Sequence, residues 1–254
     1  MMNVFRVKGK QGCLVLLAVV LLMASGCAQE TIVREQTIIR EVPKTVNNSI
    51  FFDEFDPGNG AMRNIWRSNG KAYWTWEGAT PGFFGCENGC LKQNSEDIRA
   101  LNAIMYVSAP QISNATIEVK TRIFYDKSSS PTAEELANQR KFIGSGIIFR
   151  MVDSNNYYMF RLAGEEGAVL GKMVNNDWID LANPRRLDFL VGGRIKPSTW
   201  YTLKVKVSGS NIQCFINDSP VINMNDTNSP FTVGYFGVST FKCFADFEYI
   251  DVKE

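Results

Sequence analysis

Residues 144–162, GSGIIFRMVDSNNYYMFRL, carry the pattern that decides the fold. Ile147, Phe149 and Met151 alternate with Ile148 and Arg150, the period of two that gives a sheet two unlike faces. Beyond the polar run Asp153-Ser154-Asn155-Asn156, Tyr158, Phe160 and Leu162 alternate with Tyr157, Met159 and Arg161. Pairing Val152 with Tyr157 across that run makes a hairpin. Its core face then holds Ile147, Phe149, Met151, Tyr158, Phe160 and Leu162. Its other face holds Ile148, Arg150, Tyr157, Met159 and Arg161, and a slip of one residue would mix the two sets. With two arginines and a tyrosine, this second face is expected to be exposed and to meet a ligand.

Strand signals continue on both sides. The chain from Ile50 to Phe55 reads as a strand running into an acidic turn, and Tyr73-Trp74-Thr75-Trp76 alternates like another. Residues 102–108 and 112–125 come next as strands. Val169–Val174 and Trp178–Leu181 form a second hairpin about Asn175-Asn176-Asp177. Trp200–Val207, Ile212–Asn217, Phe231–Thr240 and Phe244–Val252 complete the set. Ser130–Leu136, with Pro131 in its first turn, reads as a short capped helix inserted between strands. Many short strands with little helix predict an all-β fold, an antiparallel two-sheet sandwich.

The first residues stand apart. Arg6, Lys8 and Lys10 precede an apolar run from Leu14 to Ala24, short of the roughly 20 residues that a spanning helix needs. It ends in Ala24-Ser25-Gly26-Cys27. This is a secretory signal, and its end resembles the lipobox of bacterial lipoproteins, in which the cysteine becomes the lipidated N-terminus. Ala28 resembles the pattern of lipoproteins sent to the outer membrane. The expected organisation is a signal peptide over 1–26, a lipidated tether over 27–49 containing the echo TIVREQ/TIIREV, and one domain over 50–254. The expected location is the bacterial cell envelope, with membrane contact through the lipid anchor alone.

Removing residues 1–26 leaves 24 basic against 26 acidic residues, so nothing suggests a nucleic-acid partner. Histidine is absent, which removes Ser-His-Asp and Cys-His nucleophiles and every histidine metal site. Besides Cys13 and Cys27 there are Cys86, Cys90, Cys214 and Cys243, an even number that in an exported chain favours disulfides. The expected pairs are Cys86–Cys90, where Gly89 lets the chain fold back, and Cys214–Cys243, on two late strands.

SGIIFRMVDSNNYYMFRL, Leu170-Gly171-Lys172, Trp200–Val205, Ile216-Asn217-Asp218, Gly234–Val238 and Ala245–Val252 occur in that order. Together they resemble the laminin-G-like, concanavalin A-like lectin/glucanase superfamily, and most closely its bacterial 3-keto-disaccharide hydrolase-like jelly-roll domains. The resemblance covers about residues 50–254. It implies two curved antiparallel sheets, a concave face that often meets sugar, and frequently one calcium ion.

Laminarinase-like members of that superfamily carry spaced glutamates in an ExDxE or ExDxxE arrangement, so that one acts as nucleophile and one as acid. This chain has no such motif; Glu165 and Glu166 are adjacent between two glycines. Sugar binding asks for flat aromatic faces and fixed donors. Arg150, Tyr157 and Arg161 meet that need, with Trp74, Trp76 and Trp178 as candidates to extend the surface. For calcium, Asp53, Glu54 and Asp56 cluster hard oxygen ligands, and Glu248 sits where the superfamily's final strand carries an acidic residue near the first strand. Three function classes result: a non-catalytic carbohydrate-binding domain facing an envelope polysaccharide or other glycan, a structural or protein-interaction module of the envelope, and a hydrolase or lyase for a modified disaccharide.

Overall fold

The structure, a computed structural model, describes residues 48–55, 65–68, 74–76, 90–93, 103–124, 143–164, 167–184, 187, 189–190, 193–228 and 230–254. Contacts divide the chain into residues 1–44 and 45–254, and every described residue belongs to the second unit. The signal peptide, Cys27, nearly all of the tether, Asp56, Cys86, the expected helix at 130–136 and Glu165-Glu166 lie outside the described residues.

The described chain is a two-layer antiparallel sandwich. Its strands are β1 (Ser49–Asp53), β2 (Trp66–Ser68), β3 (Trp74–Trp76), β4 (Leu91–Gln93), β5 (Ala103–Val107), β6 (Ala115–Phe124), β7 (Gly144–Asp153) and β8 (Asn156–Ala163). They continue with β9 (Gly167–Val174), β10 (Asp177–Ala182), β11 (Tyr201–Ser208), β12 (Asn211–Ile216), β13 (Ser219–Asn225), β14 (Tyr235–Phe241) and β15 (Phe244–Lys253). One sheet runs β13-β12-β11-β6-β15-β4-β3, with β1 also paired to β15; the other runs β10-β9-β8-β7-β14-β5-β2.

The two sheets differ in how their sequences alternate. In β6, Ala115, Ile117, Val119, Thr121 and Ile123 are buried while the residues between them are half-exposed. Strand β11 repeats this with Tyr201, Leu203, Val205 and Val207, so this sheet has one wet face. Its outward Lys204 is paired with Glu118 at 3.0 Å, and Arg122 with Asp246 at 2.7 Å. The other sheet is buried on both faces through β7, β8 and β9, and its runs are accordingly apolar almost without a break. The main core lies between the sheets and includes Phe149, Tyr158, Phe160, Leu203 and Phe236. A second apolar cluster of Ile104, Ile148, Met151, Tyr157, Met159 and Met173 lies on the far side of the second sheet.

The central hairpin departs from simple alternation. Asp153 pairs with Asn156, the register expected from Val152 opposite Tyr157, but further along Phe149 pairs with Tyr158 and Ile147 with Phe160. Strand β7 therefore takes four steps from Phe149 to Asp153 where β8 takes two. The surplus is absorbed in a bulge at Arg150, whose φ is +47°, a left-handed conformation that costs an L residue about 1–2 kcal/mol. The bulge re-aims the rest of the strand. Ile147 and Phe149 face the core as expected, while Met151 moves to the outer cluster. The next turn meets its expectation, because Asn175 and Asn176 both have positive φ, 51° and 70°, as a two-residue hairpin turn requires.

The expected Cys214–Cys243 disulfide is not formed, and the expected Cys86–Cys90 pair lies outside the described residues, because Cys86 does. Cys214 and Cys243 are buried and not joined to each other. Cys214 lies in the core on β12 opposite Val205. Cys243 instead donates its thiol to the Gly144 carbonyl at 3.2 Å. Burial raises the Cys214 pKa and pushes Cys243 up to about 12, so both stay protonated and unreactive at neutral pH.

Candidate functional site

Cross-strand registers place residues on the outer face of the second sheet in rows. One row is Val169, Arg161, Gly146, Ser239 and Ile104; the next is Gly171, Met159, Ile148, Gly237 and Tyr106. Tyr157 lies opposite Met173, and Met173 opposite Trp178. Of the six residues expected to bind a ligand, Tyr157, Arg161 and Trp178 thus share this face.

The face differs in character from the expectation of an exposed surface. Tyr157 is 1 % exposed and Arg161 9 %. Around the apolar floor stand the half-buried aromatics Tyr106, Tyr235 and Trp178. The Tyr106 and Tyr235 rings lie 5.8 Å apart with 39° between their planes. Trp178 lies against Gly171, where an added Cβ would be 2.3 Å from its Cζ2 atom; only glycine lets the indole settle onto the sheet. The indole Nε1 donates to Asp180 Oδ1 at 2.6 Å. Ser239 Oγ donates to Met159 Sδ at 3.1 Å.

Arg161 crosses the strand beside it. Its guanidinium stands 4.5 Å from the Phe241 ring centroid, and Nη1 donates to the Leu162 carbonyl at 3.1 Å. A Cβ at Gly144 would come within 2.8 Å of that Nη1, so the glycine makes the passage. Burial lowers the Arg161 pKa to about 10, which leaves the group charged at neutral pH.

Arg150 does not lie on this face. The bulge sends it to one end of the sandwich, 1 % exposed. There Nε and Nη2 donate to the Ser113 carbonyl at 2.9 and 2.7 Å, and Nη1 donates to the carbonyls of Gly209 at 2.7 Å and Phe231 at 3.0 Å. Three connecting segments are tied together by one side chain, which is a structural role. Beside it, Lys172 pairs with Asp226 at 2.7 Å, and Tyr158 donates to the same carboxylate at 2.5 Å. Burial works against the Asp226 charge, but the Lys172 and Tyr158 hydrogen bonds outweigh it and hold its pKa below the ordinary carboxylate value. Burial and then Asp226 raise the Tyr158 pKa. This cluster fastens the segment at 226–231 to the sheet.

Trp74 and Trp76 belong to the other sheet. They pair with Gln93 and Leu91 at its edge and do not extend the face that carries Tyr157. Of the expected calcium ligands, Asp56 lies outside the described residues, while Asp53 pairs with Ile250, two residues from Glu248. Asp53 accepts hydrogen bonds from Phe55 N at 2.7 Å and Trp66 Nε1 at 2.8 Å, and Glu248 pairs with Lys120 at 2.5 Å. Among the described residues no group of three or more acidic or cysteine side chains is placed to hold a metal.

Residues 58–253 match the profile of the 3-keto-alpha-glucoside-1,2-lyase-like domain. The chain belongs to that family. No curated protein matches the sequence. Among solved structures, this member of the lyase-like family is similar to the carbohydrate binding module CBM66 from Bacillus subtilis. The two share 19 % identity at a TM-score of 0.55 over 75 % of this chain and 96 % of that one. It is also similar to a Bacillus subtilis protein of unknown function with a galectin-like fold (10 % identity, TM-score 0.53, 82 % and 96 % covered). A third is an endo-acting O-glycanase of the human gut microbiota (10 % identity, TM-score 0.51, 81 % and 99 % covered). At these identities the likeness is one of fold, and the fold is the jelly-roll sandwich of concanavalin A-like proteins.

Tyr106, Tyr235 and Asp180 were not singled out in the sequence. Tyr106 and Tyr235 do alternate correctly within their own strands. What brings them together is the pairing of Gly237 with Tyr106 and of β14 with both β5 and β7, which no local pattern announces.

Proposed function

We propose that this protein is a carbohydrate-binding domain that holds a glycan on the outer face of its second sheet without cleaving it. The observation that carries this reading is the convergence of Tyr106, Tyr157, Tyr235, Trp178 and Arg161 on one sheet face floored by glycines. The half-buried rings of Tyr106, Tyr235 and Trp178 offer flat apolar faces to a pyranose, over a buried floor that includes Tyr157. Likeness to a carbohydrate-binding module supports it. The non-cleaving half rests on the missing histidine and the missing spaced glutamates. The domain is displayed at the cell envelope through lipidated Cys27, in keeping with the lipobox-like run before it.

Each immobilised side chain on such a face costs about 0.5–1.5 kcal/mol, so micromolar to millimolar affinity is expected on a glycan array. Trp178→Ala should abolish that binding while leaving the melting temperature within a few degrees. An array without a single ligand would end the reading. Cleavage of a modified disaccharide is the second reading, favoured by family membership; chromatographic release of a monosaccharide from a 3-keto-glucoside would establish it.

A further inference from the structure

We propose that the glycan bound on this face is anionic, with the carboxylate of a uronic acid unit held by Arg161. The inference rests on the glycan-binding reading and narrows it.

Three buried cations define the contrast. Lys172 is 2 % exposed and paired with Asp226. Arg150 is 1 % exposed and satisfied by three carbonyls. Arg161 is 9 % exposed, yet among the described residues it has no carboxylate within ion-pair reach, and its Nε is buried without a hydrogen-bond partner. Phe241 supplies a ring face and Leu162 one carbonyl. Neither takes the place of an anion. A desolvated charge is kept in a fold when something pairs with it, and an unsatisfied buried donor in a native protein calls for an explanation.

The geometry says what would fit. Leu162 engages Nη1, which leaves the Nε–Nη2 edge, and a guanidinium offers two parallel donors there to a planar carboxylate. The arginine is held for this duty, because Gly144 and Gly146 admit no side chain where it passes: an added Cβ at Gly146 would lie 2.6 Å from Arg161 Cβ. Phe241 lies beside the guanidinium, and the rings of Tyr106, Tyr235 and Trp178 stand further along the face, where neighbouring units of the same glycan would rest. Asp180, the acidic group nearby on β10, is tied to the Trp178 indole.

The test uses the full chain in isothermal titration with tetragalacturonate and tetraglucuronate, each against its neutral methyl ester. At least one acid should bind tenfold or more tighter than its own ester. Arg161→Lys, which keeps the charge but loses the fork, should reduce that ratio, and Arg161→Gln should bring it to one. Equal binding of acid and ester by the parent overturns the anionic inference and leaves glycan binding standing. Binding of neutral glycans on an array with neither acid bound does the same. Failure of every glycan removes both. Should Arg161→Gln not fold, the acid-to-ester ratio of the parent still decides.

Discussion

Replacing Arg150 should destabilise the domain without any role for a ligand. Alanine at this position removes the donor from the carbonyls of Ser113, Gly209 and Phe231. Hydrogen bonds from charged groups contribute about 1.5–3 kcal/mol each; at the low end, since rehydrating the guanidinium offsets part of the loss, three acceptors amount to about 4 kcal/mol. For a domain of this size that corresponds to a fall in melting temperature of roughly 8–16 °C. The backbone supplies a second, independent expectation. Residue 150 has φ of +47°, so glycine there relieves strain that alanine retains. Arg150→Gly should therefore be more stable than Arg150→Ala by about 1 kcal/mol, the reverse of the usual order in a strand. Differential scanning calorimetry of the parent and both variants measures each effect. An alanine variant melting within 2 °C of the parent, or a glycine variant below the alanine one, would refute the assignment of Arg150 as a staple.

Asp226 is held below its unfolded pKa, so its contribution to stability is present above about pH 4 and is lost as the pH falls through the lower folded value. Urea unfolding across pH 2–7 should show this loss in the parent, whereas Asp226→Asn should be less stable at pH 7 and flatter in the acid range. Cys214 and Cys243 should both be alkylated in urea without prior reduction, since they are not joined to each other; a Cys214–Cys243 peptide in a non-reducing digest would contradict this. Calcium held by Asp53, Glu54, Asp56 and Glu248 is tested by the melting temperature in millimolar calcium against chelator-treated protein, and an unchanged value would end that proposal. A rise of several degrees would show Asp53, Glu54, Asp56 and Glu248 closing on an ion.

Local alternation made the strands and the sandwich readable, because a strand's faces repeat every two residues whatever it pairs with. The hairpin at 144–162 illustrates both the reach and the limit of that signal. Its loop and its first pairing are set by the pattern, yet the bulge at Arg150 interrupts the pairing without interrupting the alternation of the sequence. An arginine expected on an open face therefore became a buried staple. Trp74 and Trp76 show a different limit, since nothing in Tyr73–Trp76 states which of two sheets will accept it. The Cys214–Cys243 pairing was misread from compartment chemistry; Cys214 is simply a small apolar side chain on a core position. Of the site, Tyr157, Arg161 and Trp178 were legible because one hairpin and its neighbour set them side by side. Tyr106 and Tyr235 were not, because their meeting depends on a strand pairing between distant parts of the chain.

The strand order also sets a timetable for folding. The last two strands, β14 and β15, each occupy the interior of a sheet, between β7 and β5 in one and between β6 and β4 in the other. Until they emerge, the segments before β6 have no place to dock, and each sheet exists only as a half. By this strand order the two sheets cannot be completed before β14 and β15 are made. If the chain is exported to the cell envelope, as proposed from its N-terminal run, such a delay would keep it threadable through a translocation channel and let it close on the far side.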